Sequence, residues 1–205
     1  MFTGLIRHRG ILINSVKENE LLTLEIENSE LARTAKVKDS INVNGICLTI
    51  TGIKNNLMWF ELVEETQKRT TARNWTSNQF LHLEPAMSLS DRLDGHLVSG
   101  HIDTTVSLIE KIEQPDALIL WFKVPAAWNG LLIEKGSVAI DGVSLTVAQL
   151  LERDDESVDF SVWLIPTTVE NTNFSQLKVG DKVNIEFDLV AQYILKNLKR
   201  KNFES

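Results

Sequence analysis

Cysteine is nearly absent from this chain: one Cys47 in 205 residues cannot form an intramolecular disulfide, which excludes a disulfide scaffold. Long apolar runs are missing too. The longest, Ala117 to Phe122, has six residues, far short of the roughly 20 a helix needs to cross a bilayer, so no membrane span is expected. Positive charge is in deficit, with 21 Lys and Arg against 28 Asp and Glu. The basic footprint of a phosphate-backbone binder is lacking, and nucleic acid is not expected as a partner. Four prolines, ten glycines and no Ser/Gly tract leave no flexible linker. The opening MFTGLIRHRG carries no apolar segment with a small-residue cleavage site, so with its lone thiol the chain is expected in a reducing cytoplasm. With 43% hydrophobic and 24% charged residues, what remains is an ordinary globular protein with enough chain for a substantial core.

What the chain does have is an internal repeat. Residues 38–50 read KDSINVNGICLTI, and residues 135–147 read KGSVAIDGVSLTV. Lys38/Lys135, Ser40/Ser137, Gly45/Gly142, Leu48/Leu145 and Thr49/Thr146 coincide, and positions 41, 43, 46 and 50 match in apolar character. Phe2-Thr3-Gly4-Leu5-Ile6 resembles Val98-Ser99-Gly100-His101-Ile102, and the stretch from Phe60 to Thr70 resembles that from Phe160 to Thr172. Two copies of roughly 95 residues fill the chain, with a boundary near Ser88 to Asp94. The expected units are 1–92, 93–187 and a C-terminal segment 188–205.

Each copy carries short β-rich runs between turn residues. In the first they are Ile11 to Asn14, Leu22 to Ile26, Ile41 to Val43, Leu48 to Ile53, Met58 to Val63 and Phe80 to Leu83. In the second they are Val106 to Ile112, Ala117 to Val124, Val138 to Ile140, Leu145 to Leu150, Val158 to Leu164 and Val183 to Phe187. Six short strands per copy predict an all-β chain of two tandem antiparallel barrels, because closure removes exposed strand edges. One short helical piece is expected in each copy, at Ser29 to Ala35 and Ala126 to Glu134. A C-terminal helix is also expected. Val190, Tyr193, Ile194 and Leu198 fall on one of its faces, which packs either on its own barrel or on neighbouring subunits.

Cys47 and Thr49, and likewise Ser144 and Thr146, stand two residues apart, so on a strand both polar groups share one face, with Leu48 or Leu145 on the other. For one copy this is ordinary strand composition; its duplication points to a site. Two of the four histidines lie close together in Gly95-His96-Leu97-Val98-Ser99-Gly100-His101. There is neither an H-E-x-x-H pattern nor a Cys cluster, so no metal is expected, and proton transfer is the chemistry a lone His suits near neutral pH. Lys38, Lys135, Glu65-Thr66 and Thr167-Thr168 are further candidate ligand contacts, the last two pairs expected on the strand after each motif. Asp188 stands where an N-cap of the C-terminal helix is expected.

The opening MFTGLI, VNGICLT (43–49), GHLVSGHID (95–103), KGSVAIDGVSLTV (135–147), LIPTT (164–168) and KVGDKVNIEFD (178–188) together resemble the riboflavin synthase family, α-chain type, in order along essentially the whole chain. The resemblance implies two six-stranded Greek-key barrels and a C-terminal helix used in a homotrimer with active sites between subunits, and an association with lumazine synthase. It implies dismutation of two molecules of 6,7-dimethyl-8-ribityllumazine to riboflavin and 5-amino-6-ribitylamino-2,4(1H,3H)-pyrimidinedione by four-carbon transfer, with no cofactor. By the same resemblance His101 is the second-barrel histidine that assists methyl deprotonation, Ser144 and Thr146 meet the reacting lumazine, and Cys47 and Thr49 are their first-barrel counterparts.

Further substrate contacts are implied for Gly4, Leu5 and Ile6, for Ser40 and Leu48, and for Glu61, Leu62, Val63, Glu64, Glu65 and Thr66. In the second copy they are implied for Gly100, Ile102, Lys135, Leu145, Trp163, Leu164, Ile165, Pro166, Thr167, Thr168 and Asp188. The chain departs from the family in the first copy, where Thr70-Thr71-Ala72, Trp75 to Phe80 and Leu83-Glu84-Pro85-Ala86 replace its usual turn and strand sequences. Two rivals share the double barrel: a non-catalytic lumazine- or flavin-binding antenna protein, and an interaction module with no small ligand.

Overall fold

A computed structural model describes residues 1–201; the tail 202–205, which the sequence assigns to the C-terminal segment, lies outside the described residues. In the first copy the strands are β1 (His8–Glu18), β2 (Leu21–Glu27), β3 (Ser40–Val43), β4 (Ile46–Lys54), β5 (Leu57–Leu62) and β6 (Phe80–Pro85). In the second they are β7 (Thr104–Gln114), β8 (Ala117–Val124), β9 (Ser137–Ile140), β10 (Val143–Glu152), β11 (Val158–Leu164) and β12 (Lys182–Phe187). Two closed barrels result, ordered β1-β2-β5-β4-β3-β6 and β10-β11-β8-β7-β12-β9, the same ring once the second is read from β7. All twelve ladders are antiparallel, and β6 returns beside β3 after the β3-β4-β5 meander, a Greek-key connection.

The duplication extends to the irregularities. Register shifts fall at Leu12/Asn14 and Leu108/Glu110, and at Ile50/Gly52 and Val147/Gln149, equivalent places in the two copies. Each barrel encloses its own core, the first around Leu24, Ile50, Met58 and Phe60, the second around Leu120, Phe122, Phe160 and Ile185. The β3–β4 and β9–β10 turns are Asn44-Gly45 and Asp141-Gly142. All four residues have positive φ (44° and 87°, 43° and 79°), as tight two-residue hairpins require.

Helices are more numerous than expected. Besides α1 (Ser29–Thr34) there are α2 (Glu64–Arg69), α3 (Pro166–Asn171) and α4 (Leu189–Lys201). The expected piece from Ala126 is a 3₁₀ helix ending at Leu131. Glu65-Thr66 and Thr167-Thr168 therefore lie in short helices, not on a strand. Glu64 and Glu65 favour a helix N-terminus, and Pro166 stands at the start of α3, where its missing N–H costs nothing. Asp188 caps α4 as expected, its Oδ1 accepting the Val190 N–H at 2.8 Å.

The barrels meet tip to tip across a buried polar seam with approximate twofold symmetry. Asn44 Oδ1 accepts the His82 N–H at 2.6 Å, and Asp141 Oδ1 accepts the Asn184 N–H at 2.8 Å. His82 Nδ1 lies 2.9 Å from the Asp141 carbonyl, as Asn184 Nδ2 donates to the Asn44 carbonyl at 2.8 Å. His82 Nε2 accepts the Asn173 N–H at 3.0 Å, and Asn184 Oδ1 accepts the Thr71 N–H at 2.8 Å. A Cβ on Gly45 would sit 2.9 Å from the Gly142 nitrogen, so the two turns leave no room between them. A matched hydrogen bond adds only about 1 kcal/mol, whereas an orphaned buried group costs roughly 1–3 kcal/mol. The seam therefore fixes one placement of the barrels and penalises all others.

With Nε2 an acceptor, His82 is neutral, and burial pushes its pKa down to about 4. Its contribution to stability is full above about 6.5 and fades as pH falls through about 4. Asp141 runs the other way: burial raises its pKa to about 7, so its contribution is full below 3.8 and is lost as pH rises through about 7. The first copy has Asn44 in the equivalent place. Asp141→Asn is expected to gain stability over the parent protein as pH rises from 4 to 7. The gain should be of the order of 1 kcal/mol per pH unit, read by denaturant unfolding across that range.

Candidate active site

The two repeated motifs sit at equivalent places on the barrels, each in a strand that lacks a neighbour on one side. β4 pairs with β5 only from Ile50 onward, and β10 with β11 only from Val147, so the N–H groups of Cys47 and Ser144 face no strand. Each is met by a leading segment. The Cys47 N–H donates to the Gly100 carbonyl and the Ser144 N–H to the Gly4 carbonyl, both at 2.8 Å. The segments are exchanged. Residues that open the first copy dock on the second barrel, where Ile6 packs against its core, and residues that open the second copy dock on the first, where Ile102 does the same. Phe2 and Val98 pair where the segments cross and bury with Ala139.

Glycine is required at both contacts. Gly4 and Gly100 have φ of 78° and 83°. A Cβ would lie 2.6 Å from the Ser144 Cβ or the Cys47 Cβ respectively.

This exchange decides where His101 lies. Its neighbour Gly100 rests on Cys47, so His101 belongs to the lip of the first-barrel surface, exposed, with its N–H on Ser99 Oγ at 3.1 Å. The histidine beside Ser144 is His96, whose Nδ1 lies 2.7 Å from the Ser144 hydroxyl. Burial lowers the His96 pKa, opposed by the Asp188 charge, and Nε2 is buried with no protein partner. In the neutral Nε2–H tautomer, Nδ1 accepts the hydroxyl proton of Ser144, a base-and-hydroxyl pair able to move a proton at the lip of the second barrel. The repeat gave no pointer to His96, because residue 96 has no counterpart in the first copy. Its signal was proximity to the glycine-flanked Ser99-Gly100-His101 stretch.

Around the second lip, Thr146 and Trp163 are exposed and, with Lys135, Ala148 and Gln149, line a cavity of about 340 Å³. Lys135 holds the turn before the motif with a φ of 66°, and its N–H donates to the Val147 carbonyl at 2.8 Å. Ile165 is 62% exposed at the N-cap of α3, which carries Thr167 and Thr168. Around the first lip, Thr49 pairs with Ser40, Glu61 is exposed, and Val63 is 59% exposed at the N-cap of α2, which carries Glu64, Glu65 and Thr66. Glu64 is bridged to Lys68 and Glu65 to Arg69.

Not every expected contact faces outward. Leu48, Leu62 and Leu164 point into the cores, and Leu145 packs partly against the second core, so these residues offer a ligand only their backbone. Leu5 is half-buried, its N–H on Thr3 Oγ1 at 3.3 Å. Asp188 reaches the site through its charge on His96 while capping α4. Among the described residues no group of three or more His, Cys, Asp or Glu converges to hold a metal ion, and no helix is long and apolar enough to cross a membrane.

Comparison with known proteins matches the same duplication. The lumazine binding domain is recognised twice, over residues 3–86 and 99–188. A riboflavin synthase from Actinobacillus pleuropneumoniae is 38% identical, with 98% of this chain and 91% of that protein covered. One from Bacillus subtilis is 37% identical, with 98% and 92% covered. Among solved structures, LumP complexed with 6,7-dimethyl-8-(1'-D-ribityl) lumazine superposes with a TM-score of 0.80 over 91% of this chain and 99% of that one. At 21% identity that likeness shows the double-barrel fold alone. Full-length identity of this order, with both lumazine binding domains in place, shows that the chain belongs to the riboflavin synthase family.

Proposed function

We propose that this protein is a riboflavin synthase, a transferase that moves a four-carbon unit between two molecules of 6,7-dimethyl-8-ribityllumazine, with Cys47, Ser144 and their surroundings as its substrate sites. The observation that carries this is the pair of equivalent lips, one with Cys47 and Thr49, the other with Ser144 and Thr146. Donor and acceptor are the same compound, so the reaction needs two similar cradles, and the exchanged duplication supplies them. Holding both rings in register converts a bimolecular addition into a local one, an effect that reaches roughly 7–11 kcal/mol.

The lumazine ring is its own electron sink. Loss of a proton from its 7-methyl group leaves an anion delocalised into the pyrimidine system. Neutral His96, acting through the Ser144 hydroxyl, is placed to take a proton at the second-barrel lip, and His101 is free to act at the first. When unlike barrels of two subunits face each other, His101 of one subunit lies across from Ser144 of the next, which restores the partnership the resemblance implies. The C-terminal helix supports such an assembly. Leu195 lies over Gly130 of its own barrel, while Val190, Tyr193, Ile194 and Leu198 are each more than half exposed on α4. We read this as a homotrimer contact in a cytoplasmic enzyme.

Incubation of the purified protein with 6,7-dimethyl-8-ribityllumazine is expected to yield riboflavin; tight stoichiometric binding without turnover would replace this reading with the antenna protein. Ser144→Ala and His96→Gln are each expected to lower kcat by about 10²- to 10⁴-fold with little change in KM. Since burial depresses the His96 pKa, the acidic limb of kcat should fall below the ordinary histidine value of 6.5 and vanish in His96→Gln. Ile194→Glu should weaken assembly and activity together, and a fully active monomer measured by sedimentation would refute a site between subunits.

A further inference from the structure

Two buried glutamates outside the sites hold the lips in place. Glu84 on β6 and Glu186 on β12 are 4% and 3% exposed and occupy equivalent positions in the two barrels. Glu84 Oε1 accepts the Thr3 N–H and hydroxyl, both at 2.7 Å, and its Oε2 accepts the Gly4 N–H at 3.0 Å. Glu186 accepts the Ser99 N–H at 2.6 Å and the Gly100 N–H at 2.8 Å. Two successive backbone N–H groups converging on one anion form a nest, here filled by the protein's own carboxylate.

Each held segment then turns its carbonyls to the other barrel. Thr3 and Gly4 accept from the N–H groups of His96 and Ser144 at 3.2 and 2.8 Å, and Gly100 accepts from Cys47 at 2.8 Å. We propose that Glu84 and Glu186 are crossed positioning residues: Glu84, in the first barrel, sets the His96–Ser144 pair of the second, and Glu186, in the second, sets Cys47 of the first. The proposal rests on the functional reading above for the importance of those sites, but the lever itself is a matter of geometry.

Replacing either carboxylate by an amide keeps its shape but turns an NH₂ toward a backbone N–H, which trades one charged hydrogen bond for a repulsion. The loss of such a bond shifts a local opening equilibrium by about tenfold or more. The lone thiol is a built-in reporter of the first lip. In the full-length protein, Glu186→Gln is expected to speed alkylation of Cys47 by iodoacetamide about tenfold, while Glu84→Gln leaves it within about twofold of the parent rate, and both variants lose turnover. Equal acceleration in the two variants, or none in Glu186→Gln, overturns the proposal, since a merely structural role would loosen both barrels alike. Should the Gln variant not fold, Glu186→Asp, which retains the charge but is one methylene shorter, must show a smaller change in the same direction. A parent protein without turnover that keeps the crossed alkylation pattern removes the reaction and leaves the lever standing, so the two failures are told apart.

Discussion

A backbone N–H at the point where a strand loses its neighbour must find an acceptor or pay for its desolvation, and that requirement at Cys47 and Ser144 organises this molecule. Neither barrel can meet it alone, because β5 and β11 begin pairing three residues too late. The acceptor comes from the segment that opens the opposite copy. Once Gly4 and Gly100 are bound there, the polar seam of His82, Asn184, Asn44 and Asp141 has a single placement in which all its groups are matched. The two barrels are therefore one cooperative object although their cores are separate.

This arrangement ties chemistry to assembly at short range. The groups proposed to meet a ligand, Cys47 and Thr49 or Ser144 and Thr146, come from one barrel, and the backbone that meets the Cys47 and Ser144 N–H groups comes from the other. A loosened seam therefore displaces a lip before it melts a core. Burial acts in the same sense on both histidines. It keeps His96 neutral beside a hydroxyl, which suits proton transfer, and it keeps His82 neutral inside the seam, which suits a hydrogen-bond acceptor. The same neutral imidazole serves registry in the seam and, in the function proposed, proton transfer beside Ser144.

Much of this was legible in the sequence. Short β-rich runs between turn residues placed all twelve strands, and the offset between the motifs revealed the duplication and the paired Cys47 and Ser144 faces. Helices α2 and α3 were not legible, because Glu65-Thr66 and Thr167-Thr168 read as part of the strand that precedes them, although Glu64-Glu65 and Pro166 are helix-start residues. Nor was the exchange. A repeat comparison aligns Gly4 with Gly100 and cannot say on which barrel each lies, so it can neither place His101 beside the first barrel nor single out His96 beside Ser144. A contiguous stretch that resembles a substrate-contacting segment includes Leu48, Leu62 and Leu164, yet a strand turns alternate residues inward and these three are core.

The exchange also bears on why the copies have diverged where they have. Positions that face the opposite copy are constrained in pairs: Gly4 with Ser144, Gly100 with Cys47, His82 with Asp141 and Asn184 with Asn44. Between the copies the hydrogen-bond complement is kept while the residue type changes, as the equivalent Asn44 and Asp141, or His82 and Asn184, illustrate. The exposed positions around the lips carry no such pairing. Glu61 and Trp163 stand at equivalent places on β5 and β11, both exposed, one a carboxylate and the other an indole. Two cradles for one compound need the same backbone frame but must treat it differently, one as donor and one as acceptor. A seam that holds the frame fixed while leaving the cradle walls unconstrained is the physical condition under which a duplicated fold can meet both demands.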